Sequence, residues 1–154
     1  MLTFISENAK HCIINQGVLE TDSFKIWVGD INCPVDLKKL GAGIIAGAWD
    51  KVQQLAITVE NCDEGLKLQL GELLPDGRWQ IAELTKLKHP QVIAATDSWM
   101  LFVSQELDHL NRVRASGTLL NIKEALQLMN GEEATEIKEK AMLHFQSPDT
   151  AFSI

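Results

Sequence analysis

The feature that most restricts what this chain can become is Leu66-Lys-Leu-Gln-Leu70, a strict apolar–polar alternation followed shortly by Leu74-Pro-Asp-Gly77. Alternation at period two fits a half-buried strand; it does not fit a helix, whose apolar residues recur at about every third or fourth position. Pro75 and Gly77 supply turn chemistry, because proline presets φ and glycine accepts positive φ. Arg78-Trp-Gln-Ile-Ala-Glu-Leu84 then returns as a second arm. Leu55-Ala-Ile-Thr-Val59, joined through Asn61-Cys-Asp-Glu-Gly65, supplies an earlier one. Residues 55–84 are therefore expected to form a three-stranded antiparallel meander with Pro75-Asp76-Gly77 at a hairpin tip.

The first third of the chain also reads as strands. Thr3-Phe-Ile-Ser6 is short; Cys12–Leu19 and Ser23–Val28 place apolar residues at period two, with Glu20-Thr-Asp22 as a turn between them. Gly29-Asp-Ile-Asn-Cys-Pro34 ends the run, and Pro34 followed by Asp36 resembles a helix start. From Asp36 to about Gln54 the set Leu37, Leu40, Ile44, Ile45, Ala48, Trp49 and Val52 fits a helix. Gly41, Gly43 and Gly47 oppose it at ~1 kcal/mol each relative to alanine. A helix there requires its bare backbone to lie tight on a sheet. Gly43 and Gly47, four residues apart, would share that contact face, and Trp49 beside them would wall a pocket or an interface. The same glycines invite comparison with a dinucleotide-binding loop. That device needs a hydrophobic strand before its first glycine, and Asp36-Leu-Lys-Lys-Leu40 does not provide one.

The last third is expected to be helical. Trp99, Phe102, Val103, Leu107, Leu110 and Val113 share one face of a helix over Ser98–Ala115, which Gly117 would stop. Leu119, Ile122, Leu126 and Met129 mark a second helix, closed by Asn130-Gly131; Ala134, Ile137, Ala141 and Phe145 mark a third, ending before Pro148. Strands early and helices late imply an α+β fold: an antiparallel sheet packed against a glycine-rich helix and a C-terminal group of about three helices. Residues 1–148 are read as a single domain and 149–154 as a loose tail.

Charge restricts the partners. The chain has 154 residues and a net charge of −7, and its only basic concentration is Lys86, Lys88, Arg112 and Arg114. So few cations neutralise few phosphates, which argues against nucleic acid as a partner. A basic partner protein fits the charge better. No apolar run approaches the ~20 residues of a membrane span, and Met1–Asn8 lacks the basic start and apolar stretch of a signal peptide. No membrane association and a cytoplasmic location are expected. Cys12, Cys33 and Cys62 match neither a disulfide framework nor a zinc pattern, so reduced thiols, no metal and no cofactor are expected.

Few residues suggest chemistry. On the helix expected over Ser98–Ala115, at about 100° per residue, Glu106 falls inside the apolar arc. A carboxylate there needs a cation, a donor or a raised pKa, and Arg114 and His109 are the nearest candidates along the helix. Glu106-Leu-Asp-His109 has the spacing used in di-iron bundles, but the second motif such sites require is missing. His11-Cys12 are adjacent and would point to opposite faces of a strand. Serine-hydrolase, Walker A and EF-hand signatures are absent. The candidate binding residues are thus Glu106, His109, Arg114, Trp49, Gly43 and Gly47, with no catalytic set. The expected function is that of a non-enzymatic protein-binding module: a small acidic inhibitor, an immunity-type protein or an accessory factor of a mobile element, acting through a partner interface and as a homodimer. The alternatives are a small-molecule-binding regulatory domain, with its cavity between the meander and Gly41–Trp49, and a small enzyme using Glu106 and a histidine.

Overall fold

The structure, a computed structural model, describes residues 2–5, 17–41, 43–90, 92–96, 98–107 and 109–146. Along the chain run β1 (Leu2–Ile5), β2 (Gly17–Glu20), β3 (Phe24–Val28), β4 (Ile44–Asp50), β5 (Leu55–Cys62), β6 (Gly65–Leu73), β7 (Trp79–Leu87), β8 (Val92–Ala95), β9 (Trp99–Leu107) and β10 (Val113–Asn121). Two short helices, α1 (Ile122–Leu128) and α2 (Ala134–Ala141), precede β11 (Met142–Gln146). Two 3₁₀ turns, Asp30–Asn32 and Val35–Leu40, lie between β3 and β4. Among the described residues strand far outweighs helix, which overturns the α+β expectation. The strands form two antiparallel sheets, ordered β1-β8-β9-β10-β11 and β2-β3-β4-β5-β6-β7.

The expected meander is present. Leu66, Leu68 and Leu70 of β6 are buried, β6 pairs with β5 and β7, and Gly77 takes φ 88° at the tip. A register shift opposite Leu68/Gln69 adds one residue to β7. Such a bulge resets the alternation, and it lets Leu84 and Leu87, three apart, both pack on the core.

The glycine-rich helix is absent. Its first part is the 3₁₀ turn Val35–Leu40 and its second is strand β4, between β3 and β5. The glycines that would weaken a helix fit this central strand. A Cβ on Gly47 would collide with the Ile57 carbonyl oxygen and with the Trp27 ring. Asp50 then closes the strand by accepting from the amides of Val52 and Gln53, each at 3.0 Å.

The helix expected over Ser98–Ala115 is also absent; the segment is β9, a turn and the start of β10, paired from Trp99↔Asn121 to Leu107↔Val113. Trp99-Met-Leu-Phe-Val103 is apolar at every position, so both periods match it, and its β-branched and aromatic content favours strand. Asn111 carries φ 60° in the turn, a conformation asparagine tolerates. Of the C-terminal helices two remain, both short. The side chain of Asn121 caps α1 by accepting from the Glu124 amide at 3.0 Å. α2 stops at Ala141, and the residues that were to extend it, through Phe145, form β11. The expected strand over Cys12–Leu19 lies outside the described residues up to position 16, as does the expected tail 149–154; residues 17–20 form β2.

The two sheets share one core. Ile26, Ile57 and Leu68 from the six-stranded sheet meet Ile93, Met100 and Leu120 from the other, and Ile122, Leu126 and Ile137 of the helices join them. α2 packs on both β7 and β11, bridging one edge of each sheet. The opposite face of the six-stranded sheet carries a second, smaller core of Trp27, Cys33, Leu37, Ile44, Trp49 and Ala56, roofed by the strap between β3 and β4. One row across this face, Trp27–Gly47–Thr58–Gln69 in backbone register, contains three buried polar atoms without a hydrogen-bond partner among the described residues: Trp27 Nε1, Thr58 Oγ1 and Gln69 Oε1.

Two stability measurements follow from this packing. Gly47→Ala should cost about 1–3 kcal/mol through overpacking and lower Tm by roughly 3–10 °C. Gly131→Ala, where nothing lies within 4 Å and φ is not positive, should be within about 1 kcal/mol of neutral. Equal Tm values for the two variants would contradict the close approach at Gly47. Thr58→Val keeps the shape and removes a desolvated hydroxyl, so denaturant unfolding should show a gain of about 1 kcal/mol. A loss would mean that the hydroxyl is satisfied.

Candidate functional site

The residues singled out in the sequence do not converge. Trp49 is buried in the second core, where it meets Trp79 with ring centroids 5.5 Å apart at 52°. Gly43 lies against β5: its carbonyl accepts from the Asn61 amide at 2.8 Å, and a Cβ there would stand 3.0 Å from Asn61 O. With Gly47 it serves backbone packing. Glu106 and Arg114 face each other in the register of β9 and β10, brought together by a hairpin and not by a helix turn. The expected burial of the Glu106 carboxylate lies outside the described residues. His109 is exposed in the turn beyond β9, and the pair His11-Cys12 lies outside the described residues.

What the fold does present is an apolar sheet face. Along β9, Trp99, Leu101, Val103 and Leu107 alternate away from the core residues Met100 and Phe102. They share that outer face with Val113, Ala115 and Leu119 of β10 and with Leu143 and Phe145 of β11. Trp99 is 40% exposed, Leu143 60% and Phe145 42%. Gly117 seats the Phe145 ring, since a Cβ on it would collide with that ring. The described outward positions of β8–β11 include no charged residue. Contiguous apolar surface of this kind marks interaction sites.

The inner face of the same sheet changes character along its length. The first cross-strand row is Met100–Leu120–Met142, all buried. The second is Phe102–Thr118–His144, and the third is Ser104–Ser116–Gln146. The apolar gap between the sheets thus opens into a polar cleft of about 500 Å³ beside β11. Leu87 and Phe102 line it as apolar walls, and Lys86 and Lys88 from the end of β7 bring charge. Thr118, only 6% exposed, shares a 2.8 Å hydrogen bond with His144 between Oγ1 and Nδ1. When Thr118 donates, Nε2 of the ring carries the proton and is itself a donor. Ser104 Oγ makes a long contact, 3.4 Å, to the His89 carbonyl oxygen. Among the described residues lining this cleft there is no Asp or Glu. A second cleft of about 500 Å³ lies against the same two lysines and is mixed in charge, with Lys67, Asp63, Glu64 and Glu83 completing its charged lining.

Reading β9–β11 as helices hid these residues. On the strand pattern, Leu120, Thr118 and Ser116 show the apolar-to-polar change directly, and Leu143 and Phe145 separate from His144.

Among the described residues no three His, Cys, Asp or Glu are grouped to hold a metal ion, and no helix is long and apolar enough to cross a membrane. No family model matches the chain, and no curated protein or solved structure does.

The cysteines differ in environment. Burial in the second core pushes the Cys33 thiol up, against the weaker opposing pull of Lys38 and Lys25. Cys62 is half-buried at the end of β5. Alkylation with iodoacetamide at pH 8, mapped by peptide mass spectrometry, should modify Cys62 in the native protein and Cys33 only after unfolding. Raising the pH toward 9 should still leave Cys33 unmodified in the native protein, because burial holds its thiol above the usual range. Equal native rates would contradict the burial of Cys33.

Proposed function

We propose that this chain is a non-enzymatic protein-binding module that works as a homodimer through the outer face of its five-stranded sheet. The observation that carries the reading is an apolar, uncharged face on a chain of net charge −7. Two copies of an acidic protein repel each other, and they approach at least cost where neither carries charge. A basic partner would be held by carboxylates, which the described positions of this face lack. Homodimer interfaces are more apolar than transient ones, and a two-fold contact sets the same patch against itself. From strand spacing and rise the face spans roughly 500 Å² per copy, and two copies reach the ~1,000 Å² that a specific interface needs. The dimer would leave its acidic surfaces outward, available to a basic partner protein. This fits a small inhibitor, immunity-type protein or mobile-element accessory factor whose output is a complex. An enzyme using Glu106 and a histidine is less well supported, because His109 lies in the exposed turn beyond β9 and His144 lines the cleft on β11.

Sedimentation velocity at micromolar concentration should give a dimer. Leu143→Lys, at an exposed edge-strand position, should convert it to a monomer with an unchanged circular dichroism spectrum. A monomeric wild-type protein would overturn the reading.

A further inference from the structure

We propose that the cleft between β7 and β11 binds a small organic anion, a carboxylate or phosphate carried on a compact apolar body. The proposal concerns the inner face of the five-stranded sheet and does not depend on the dimer.

Three features point to that ligand class. The first is the sign of the cleft. Acidic residues outnumber basic ones 21 to 14 in the chain, yet the described lining contains two lysines and no carboxylate. Among the described residues Lys86 has no ion-pair partner, whereas Lys67, directly opposite it in the register, is held by Glu60 at 3.4 Å. The carboxylates Asp63, Glu64 and Glu83 lie around the other cleft, together with Lys67, and none of them lines this one.

The second feature is the density of neutral polar groups. Ser116 and Gln146 occupy neighbouring positions of one cross-strand row, and Thr118 and His144 the next. Ser116 is half-buried and His144 and Gln146 are exposed, so a ligand entering from solution reaches their polar groups. Thr118 pairs with His144, which fixes the ring and leaves Nε2 on its far side. Hydroxyl, amide and imidazole donors around one ammonium make a cradle for an anionic head group.

The third feature is the depth. Behind the polar row stands Phe102, 2% exposed, with Leu87 opposite on β7. An apolar body extending inward from the head group would meet these two side chains. A pocket of apolar walls with a few convergent polar groups is the usual form of a small-molecule site. Inorganic phosphate would leave that inner part unused.

The test is a titration of the ¹⁵N-labelled full chain, followed by amide chemical shifts. The probes are phenyl phosphate, benzoate, inorganic phosphate and benzylamine. Phenyl phosphate and benzoate should shift Ser104, Ser116, Thr118 and His144 and saturate at about millimolar concentration or below. Whichever binds tighter identifies the preferred head group. Inorganic phosphate should bind at least about tenfold more weakly, and benzylamine should leave these amides unmoved. Lys86→Glu, at an exposed position, should weaken phenyl phosphate at least about tenfold, while Lys86→Arg retains it. Lys39→Glu makes the same charge change on the strap between β3 and β4 and should have no effect. Ser116→Ala, which leaves charge alone, should weaken binding about threefold. The monomeric Leu143→Lys protein should still bind, which separates this site from the dimer. Absence of saturation, shifts confined to other residues, equal binding of inorganic phosphate, or indifference to Lys86→Glu would each overturn the proposal.

Discussion

The six-stranded sheet is buried on both faces at its centre, and most of the architecture answers that requirement. Strand β4 runs between two cores, one shared with the other sheet and the helices, one roofed by the strap from Gly29 to Gly43. Trp27, Ile44 and Trp49 sit under that strap and meet its Leu37, and each such side chain contributes about 1.5–3 kcal/mol when removed from water. The strap's 3₁₀ turns give Leu37 and Cys33 the inward positions that close the roof. Gly47 is the narrowest point: the Trp27 ring reaches across it toward β5, so the strand tolerates no side chain there.

Covering one sheet twice leaves the other covered once. The inner face of the five-stranded sheet meets the shared core, while its outer face has no layer of its own among the described residues. That face is apolar where an ordinary single-layer antiparallel sheet would be polar. Among the described residues carboxylates are absent there and again around the cleft, although the chain is rich in them elsewhere. The two proposals rest on these two gaps in the charge distribution, and they use opposite sides of the same strands.

How much of this was legible in the sequence depended on whether a segment has one polar face. β6 has polar residues, the half-buried Lys67 and Gln69, between its buried leucines, and its alternation was decisive. β4 and β9 lack such interleaving. Ile44-Ile-Ala-Gly-Ala-Trp49 and Trp99-Met-Leu-Phe-Val103 are apolar on both sides, and for such runs periodicity fits helix and strand alike. The two mistaken helices came from that degeneracy. The three glycines already argued against the first of them, and Asp108-His-Leu-Asn111 was available as a turn against the second. The site suffered most, because assigning β9–β11 to helices placed Glu106, His109 and Arg114 on one surface by helical spacing. The strand register retains the Glu106–Arg114 proximity by another route, and it replaces the rest with Thr118, Ser116 and His144.

Strand β11 is five residues long, and its side chains alternate between two environments: Leu143 and Phe145 on the outer face, His144 and Gln146 in the cleft. It is an edge strand, held to the sheet by β10 alone and to the body by α2. Occupancy on either side of such a strand restricts the same backbone. Thermodynamic linkage then makes the relation reciprocal: whatever factor an anion in the cleft applies to self-association, self-association applies to the affinity for the anion. The two faces of β11 would read one another, and a metabolite-sized ligand would act as a control on assembly.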